Sequence, residues 1–337
     1  MADNIPNFKC AIPSTALNNA LFGGQSAYTL LGPDGIPQTA LANLGAGVRP
    51  NLLDNAYFAG PWQLPINQLG NTSWTGSAPY VNLVDRWLGF HSGGGVTFSL
   101  SNAGIFLPAA SAYVTVLQRL TQSNAEMVGK TYTVSAVVDG EVITGTGVVT
   151  EREPSGTVTF FSGTGTNGVI VRLRCSSVNG MFFEVYAPRG GVTITACKLE
   201  EGEGQTLACR DADGNWQLLP QPDMDYGTQL EKCQRYFFPL YSESVFLGRT
   251  NVGSDTGGVF FVPTSVPMRV APVFRNSQLN QYTARGNGTS KSITSISIVG
   301  LAPGGVLCTF SVPSGIGVNQ PVVITKPTST DALSAEL

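Results

Sequence analysis

The chain has 337 residues, only 12% of them charged, and a formal net charge of −3. With a pI near 5.3 and no basic cluster beyond the spaced Arg172 and Arg174, it lacks the positive field that attracts phosphates, so nucleic acid is a poor candidate partner. No segment approaches the ~18 apolar residues of a membrane helix, and the N-terminus lacks the features of a secretory signal, so we expect no membrane insertion and synthesis in a cytoplasm.

Glycine and proline are abundant, at 40 and 21 residues, which together with the low charge is typical of a turn-rich all-β protein. The length allows two or three domains. We therefore predict an all-β fold with two β-sandwich or jelly-roll-like domains after a short, partly helical N-terminal docking arm. The predicted ranges are 1–50 for the arm, 51–205 for a jelly roll, 206–225 for a connector and 226–337 for a C-terminal β-sandwich.

The arm contains an internal repeat, because I-P-S-T-A-L at 12–17 recurs as I-P-Q-T-A-L at 36–41. The Ser and Thr residues can cap short helices, and glycines that follow can end them. Two interpretations stay open: two similar helical caps in a linker, or an arm that applies one motif to two equivalent surfaces of a partner assembly. The candidate docking residues are Ile12, Pro13, Leu17, Ile36, Pro37 and Leu41.

The first β-domain shows short apolar segments separated by turn residues. Asp139-Gly140 is a typical hairpin turn, and a glycine-rich turn separates a second pair of segments. This spacing predicts a two-sheet sandwich of the jelly-roll kind, with one short helix near Glu126. The predicted strands are Thr131–Val138, Val142–Val149, Thr157–Phe161, Val169–Leu173, Phe182–Val185 and Val192–Leu199.

The second β-domain follows a polar, turn-rich connector and a predicted helix at Asp225–Tyr236. The tail, Lys326–Leu337, is predicted to be exposed or loosely held. The predicted strands are Gly258–Val262, Met268–Phe274, Thr294–Val299, Val306–Val312 and Pro321–Thr325.

Two segments partly match cofactor- or metal-binding motifs, but their neighbouring residues do not fit such sites. The G-x-G-x-x-G match at 163–168 precedes a β-branched segment instead of a helix, which favours a glycine-rich hairpin over a dinucleotide site. The acidic stretch at 211–215 lacks the spacing of a calcium loop. The six cysteines form no C-x-x-C pair, so we expect reduced, mostly buried thiols, and we predict neither a cofactor nor a metal.

Catalytic clusters are equally weak. His91 is the only histidine, and its position before a glycine run predicts a surface or turn residue. A carboxylate pair for glycoside hydrolysis could come from distant strands, but nothing in the sequence distinguishes the candidates. We predict that the protein is not an enzyme and assign no catalytic residue. The candidate acids are Asp85, Glu184, Glu200 and Glu201.

Aromatic residues crowd the start of the first domain, namely Trp62, Trp74, Tyr80, Trp87 and Phe90. Aromatic faces stack on sugar rings, but most of these rings are expected to form the core of the sandwich. Polar neighbours make Trp62 and Trp74 the predicted exposed pair. The candidate glycan-binding residues are Trp62, Trp74 and Tyr80.

Several short motifs follow one another in order along the two β-domains. They are N-L-L-D-N-A-Y-F at 51–58, P-I-N-Q at 65–68, D-R-W at 85–87, A-C-K-L-E-E-G at 196–202 with Q-T-L-A at 205–208, Q-L-E-K-C-Q-R-Y-F at 229–237 and V-P-M-R-V-A-P at 266–272. Together these motifs resemble a family of phage and prophage virion proteins, commonly tail fibres or related surface fibres, that carry a carbohydrate-binding-module-like jelly roll. The resemblance covers about residues 51–275, and its motifs look structural.

The resemblance implies a structural protein on the virion surface, assembled in the bacterial host cytoplasm. Because heptads and Gly-X-Y repeats are absent from the sequence, we expect a short fibre or spike. The implied partners are other virion proteins through residues 1–50, further copies in a homotrimer, and host-surface glycan. The alternatives are a head fibre or capsid decoration protein that occupies or stabilises a capsid site, and a polysaccharide depolymerase.

Overall fold

A computed structural model describes most of the chain outside residues 1–47. The described residues are 48–59, 65–76, 80–92, 95–110, 112–151, 156–177, 180–210, 213–219, 221, 224–241, 244–275, 282–326 and 331–335. The predicted docking residues, Trp62 and Cys10 therefore lie outside them. In the described part the chain is built of antiparallel sheets with two helices, α1 (Asn124–Met127) and α2 (Tyr226–Gln234), so the all-β prediction is confirmed. Neither helix has the length and apolar character required to cross a membrane.

Two six-stranded sheets form what we call the first sandwich. Sheet A has the order β1-β4-β5-β12-β7-β8, and sheet B has the order β2-β3-β6-β11-β10-β9. The strands are β1 (Ser73–Thr75), β2 (Tyr80–Asn82), β3 (Leu88–His91), β4 (Thr97–Ser101), β5 (Gly104–Leu107), β6 (Val114–Arg119), β7 (Thr131–Val138), β8 (Glu141–Val148), β9 (Thr157–Thr164), β10 (Ile170–Ser176), β11 (Gly180–Ala187) and β12 (Val192–Glu201).

Turn chemistry sets the hairpins of this sandwich. Asp139 and Gly140 both have positive φ, at 49° and 82°, as a two-residue turn between twisted strands requires. Strands β7 and β8 pair on either side of that turn, as predicted. The G-x-G-x-x-G segment likewise turns between β9 and β10, where the Gly168 amide donates to the Gly165 carbonyl. The prediction of a hairpin there, and not of a dinucleotide loop, is confirmed.

The inward faces of sheets A and B meet in one apolar core. Trp87, Phe98, Phe183 and Leu199 are each no more than 1% exposed within it. Strand β12 is central to sheet A because it pairs with both β5 and β7. The core of the first sandwich therefore cannot be completed without β12, which is the last strand of that sandwich in the sequence.

A hairpin of β13 (Ala208–Arg210) and β14 (Trp216–Leu218) follows the first sandwich. Ala208 and the preceding Leu207 are buried and pack in a small apolar cluster with Tyr57 and Met224. Helix α2 begins after Asp225, whose side chain accepts a hydrogen bond of 2.8 Å from the Thr228 amide. The helix predicted at 225–236 is therefore present.

What we call the second sandwich pairs a seven-stranded sheet C with a three-stranded sheet D. Sheet C has the order β20-β19-β23-β16-β17-β22-β21, and sheet D has the order β15-β24-β18. A separate core includes Phe260, Tyr282, Val306 and Leu333. The strands are β15 (Phe237–Leu240), β16 (Val245–Thr250), β17 (Gly257–Pro263), β18 (Val273–Arg275), β19 (Thr283–Gly286), β20 (Thr289–Ser292), β21 (Ser295–Ala302), β22 (Gly305–Ser311), β23 (Pro321–Thr325) and β24 (Asp331–Ser334).

The prediction of an exposed or loosely held tail is wrong for the residues of the tail that the structure describes, Lys326 and 331–335. Strand β24 lies between β15 and β18, and Leu333 is fully buried. Lys326 is also fully buried, and its Nζ donates 2.6 Å to the Leu240 carbonyl. Pairing with strands far away in the sequence buries a segment that looks polar on its own.

The strand predicted at 268–274 is also mostly wrong, since β18 begins only at Val273. Pro272 interrupts the segment and removes a backbone donor. The Arg269 amide instead donates 2.8 Å to the Arg235 carbonyl beside α2. The segment therefore serves the connection between α2 and sheet D.

Candidate functional site

The outer face of sheet B carries a groove lined by aromatic and charged side chains. Alternation along β11 sends Phe183 and Val185 into the core and presents the residues between and beside them to the groove. Antiparallel register brings β6, β10 and β11 side by side. The groove has a volume of about 410 Å³ and is lined by Tyr80, Phe90, Tyr113, Leu117, Thr157, Arg172, Arg174, Phe182, Glu184 and Tyr186.

Four rings form a continuous aromatic run along this groove. The ring centres of Tyr80 and Phe90 are 5.0 Å apart. Phe90 stacks on Tyr113 at 5.7 Å with an interplanar angle of 23°, and Tyr113 lies 5.1 Å from Tyr186. Tyr80 is 42% exposed, so the open end of the run presents a ring to solvent.

A charged cluster occupies the other end of the groove. One carboxylate oxygen of Glu184, Oε2, accepts from Arg172 Nε at 2.5 Å and from Arg174 Nη1 at 2.9 Å. The Glu184 side chain is 7% exposed, against 19% for Arg172 and 23% for Arg174. The carboxylate therefore lies beneath two partly exposed guanidinium groups.

Aromatic rings also hold these guanidinium groups. The Arg172 guanidinium carbon lies 4.7 Å from the centre of the Tyr186 ring, and that of Arg174 lies 5.4 Å from the centre of the Phe182 ring. Contacts of this kind are attractive when a cation faces a ring. Carboxylate and rings together fix the direction of both arginines.

This arrangement offers a small ligand both apolar faces and hydrogen-bond donors. Flat rings offer apolar faces for the C–H side of a pyranose, and the arginines and tyrosine hydroxyls offer donors for hydroxyl or acidic groups. A volume of about 410 Å³ falls within the usual range for small-ligand sites. The groove is the leading candidate for a binding function.

The three residues that the sequence suggests for glycan binding differ in where the structure places them. Trp62 lies outside the described residues, and Tyr80 lines the groove. Trp74 is only 7% exposed and pairs across β1 and β4 with the buried Phe98, so the prediction that it is exposed is wrong. The alternation Ser-Trp-Thr in β1 turns the indole inward and its two polar neighbours outward. Glycan binding by Tyr80 stays a prediction.

Several groove residues were missed by sequence reasoning. The sequence distinguishes Arg172 and Arg174 only as a spaced basic pair, and it does not indicate Tyr113, Phe182 or Tyr186 as binding residues. The available signal was alternation, because R-x-R in β10 and F-x-E-x-Y in β11 each put polar or aromatic residues on one face of a strand. Their convergence required the pairing register of β10 and β11, which local patterns do not provide.

The single histidine and the candidate acids are distributed over several elements of the first sandwich. His91 is 4% exposed within β3, so the prediction of a surface or turn residue is wrong. Glu184 lies on sheet B, whereas Glu200 and Glu201 lie on β12 of sheet A. Asp85 accepts from the Gln68 amide at 3.0 Å. Within the part of the chain that the structure describes, no group of three or more His, Cys, Asp and Glu is placed to hold a metal ion.

The cysteines in the described part of the chain are free thiols, as predicted. Cys175, Cys197, Cys233 and Cys308 are buried, and Cys209 is partly exposed. Burial raises the pKa of the Cys308 thiol to about 12 and that of Cys197 well above its ordinary value. These groups are suited to packing, since the reactive thiolate is disfavoured.

The motifs at 51–58 and 85–87 meet at one point of the first sandwich. Asn55 has a positive φ of 51° and is fully buried. Its side-chain amide nitrogen donates 2.8 Å to the carbonyls of Ile66 and Asp85. The indole of Trp87 donates to the carbonyls of Asp54 and Asn55, at 3.1 and 2.9 Å. These side chains hold the entry of the chain against the core.

The same point contacts the second sandwich. The backbone amide of Asn55 donates a hydrogen bond of 2.7 Å to Gln229 Oε1 on α2, and Gln68 Nε2 donates one of 3.0 Å to the Phe237 carbonyl. Arg86 lies over the Tyr236 ring. The motif residues thus build a junction between the two sandwiches, and Asn55, Gln68 and Arg86 do not line the groove of sheet B.

No family model, no curated protein and no solved structure matches this chain.

Proposed function

We propose that the chain is a structural, surface-exposed virion protein of a phage that binds host-surface saccharides through the groove on sheet B. The observation that carries the binding function is the aromatic run from Tyr80 to Tyr186, which ends at the Arg172–Glu184–Arg174 cluster. The phage assignment is supported by the motifs between residues 51 and 275 that resemble virion fibre proteins. Residues 1–50 would dock the chain on the particle.

Affinity per site is expected to be weak. The groove is open, and its most exposed ring is Tyr80 at 42%. Several copies on one particle, as in the expected homotrimer, would raise the effective concentration of the second and third contacts and convert weak binding into stable adhesion. A binding module of this kind requires no catalytic group.

The experiment for the binding function is a saccharide array followed by titration calorimetry with the purified full chain. Tyr80→Ala removes an exposed ring of the groove and is expected to lower affinity at least fivefold without loss of stability. The matched control is Tyr241→Ala, which removes a tyrosine that is 58% exposed beside the second sandwich. If no saccharide binds, or if Tyr80→Ala binds as well as the unchanged protein, the groove is not the site.

The experiment for the virion role is adsorption competition. Host cells are pre-incubated with the purified protein, and the phage particles that still attach are counted. Dose-dependent blocking is the expected result, and Tyr80→Ala should block less. Absence of blocking by folded protein would contradict receptor binding.

A second candidate function, capsid decoration, is favoured by an apolar stripe on the outer face of sheet C. Val245, Leu247 and Val259 are 59%, 74% and 37% exposed there. Exposed apolar patches often mark contacts with other proteins. Labelling of the protein on intact particles separates the two functions, because a signal over the whole capsid favours decoration and a signal at the tail favours a fibre or spike.

A further inference from the structure

We propose that the groove of sheet B takes a saccharide that carries a carboxylate, such as a uronic or sialic acid, and that Arg172 and Arg174 bind this carboxylate. This inference rests on the proposed saccharide-binding function and names its ligand class.

The charges of the groove lining favour an anion. The charged members of the lining are two arginines and Glu184, which gives a count of two positive charges against one negative charge. The other lining residues are aromatic, apolar or hydroxyl-bearing. One positive charge of the lining therefore has no counter-charge there. The arginine side chains that carry the positive charges are 19% and 23% exposed.

The hydrogen-bonding capacity of the Arg172–Glu184–Arg174 cluster also favours an anionic ligand. A guanidinium has five N–H donors and no acceptor. Arg172 and Arg174 each donate one of these to Glu184 Oε2. Sugar hydroxyls both donate and accept, whereas a carboxylate only accepts and matches the forked geometry of a guanidinium. A donor-rich end of a groove therefore discriminates between acidic and neutral sugars.

The arginines are also fixed before a ligand arrives. Glu184 holds both guanidinium groups on one oxygen, and the rings of Tyr186 and Phe182 face them at 4.7 and 5.4 Å. Groups that are already ordered lose little conformational entropy on binding. Fixed donors therefore add to affinity and to selectivity.

The aromatic run leads to this charged end. Tyr113 lies 5.1 Å from Tyr186, and Tyr186 faces the Arg172 guanidinium. A sugar ring stacked on Tyr113 or Tyr186 would place an acidic substituent next to Arg172. The neutral rings of the saccharide would then extend toward Phe90 and Tyr80.

The test compares acidic saccharides with neutral counterparts by titration calorimetry on the full chain. The probes are 3′-sialyllactose against lactose, and tri-galacturonate against its carboxyl-reduced form. At least one acidic probe is expected to bind ten times more tightly than its counterpart at low salt. The advantage should shrink in 0.5 M NaCl, where charges on partly exposed groups are screened.

Variants locate the carboxylate contact. Arg172→Gln and Arg174→Gln are expected to remove the preference for the acidic probe, so that the acidic and neutral probes bind each variant with affinities within twofold of each other. Arg285→Gln is the matched control, because it removes an exposed arginine of sheet C. If either groove variant unfolds, Arg174→Lys keeps the charge and should lose part of the preference, since an ammonium lacks the planar fork.

The possible failures are distinguishable. Equal affinity for acidic and neutral probes, with both weakened by Tyr80→Ala, would overturn the carboxylate inference and leave the saccharide function intact. A preference that survives both Arg→Gln changes would also overturn it. Failure of every saccharide on the array to bind would contradict the proposed function itself.

Discussion

The guanidinium carbon of Arg86 lies 3.4 Å from the centre of the Tyr236 ring, and this contact joins the first sandwich to the second. Arg86 is 6% exposed, pairs with Asp54 at 3.2 Å and donates 3.0 Å to the Arg119 carbonyl. Because the cation is largely removed from water, its attraction to the ring is expected to reach about 2 kcal/mol. The two sandwiches should therefore unfold as a coupled pair.

Tyr236→Leu tests that coupling. The change keeps an apolar side chain but removes the π-face, so the melting transitions of the two sandwiches are expected to separate in scanning calorimetry. The control is Tyr226→Leu at the start of α2, where the side chain is 47% exposed. Identical melting curves for Tyr236→Leu and the unchanged protein would contradict a coupling role.

A second prediction concerns the buried carboxylate of Glu200. It accepts from Arg49 Nε at 3.1 Å, from the Thr206 amide at 2.6 Å and from the Thr206 hydroxyl at 2.5 Å, and Lys198 Nζ lies 3.4 Å away. Glu200 and Lys198 are both fully buried. Glu200→Ala leaves the lysine without its counter-charge, so we expect a loss of about 3–5 kcal/mol in the free energy of unfolding by urea.

The neighbouring residue supplies the control for this prediction. The Glu201 side chain is 58% exposed and pairs with Lys130, so Glu201→Ala should cost less than about 1 kcal/mol. The double change Lys198→Met with Glu200→Leu should recover much of the loss, because it removes both buried charges. If Glu200→Ala lowers the free energy of unfolding no more than Glu201→Ala does, the Glu200 carboxylate is not the stabilising counter-charge of Lys198.

A third prediction concerns the tail. Leu333 is fully buried on β24, between β15 and β18. Leu333→Ala should lower the free energy of unfolding by about 2–5 kcal/mol through loss of burial and the cavity left behind. Chemical denaturation of the full chain measures this value. Val318→Ala, at a side chain that is 43% exposed, is the control and should change stability by less than about 1 kcal/mol.

A fourth prediction concerns alkaline pH. Burial raises the pKa of Cys308 from 9.0 to about 12. The unfolded chain loses this proton near pH 9 while the folded chain keeps it, so the stabilisation is complete below pH 9 and is lost as pH rises through about 12. Between pH 8 and 10.5 the unchanged protein should lose about 2 kcal/mol more than Cys308→Ala.

Urea titrations at the two pH values check this sign. Cys209→Ala is the control, since that thiol is partly exposed. A parallel loss of stability in the unchanged protein and in Cys308→Ala would show that the buried thiol does not contribute to the pH dependence.

Local chemistry allowed much of the fold to be predicted. The Asp139-Gly140 turn and the Asp225 cap are decided by neighbours in the sequence, and both hairpin and helix are present. The predictions for the tail and for Trp74 are wrong for different reasons. Burial of Leu333 requires pairing with strands about 60 to 100 residues earlier. The polar neighbours of Trp74 suggest exposure, but the alternation of β1 turns the indole inward.

The groove was less predictable than the strands that form it. Arg172, Glu184 and Phe182 lie on strands that the sequence indicated, but only the register Arg172–Glu184 and Arg174–Phe182 shows that their side chains meet. Register in a sheet with one buried face is set by all its inward residues together. A local pattern therefore predicts a strand more readily than the site formed on its outer face.

The position of β24 has a consequence for biosynthesis. Strands β15 and β18 both pair with β24, and neither pairs with the other. A chain growing on the ribosome can complete the first sandwich soon after Glu201 has emerged, but sheet D has no central strand until Ser334 is available. Until then the apolar core of the second sandwich stays exposed to solvent. Nascent chains that stop short of Asp331 should therefore be preferred substrates for chaperones and proteases.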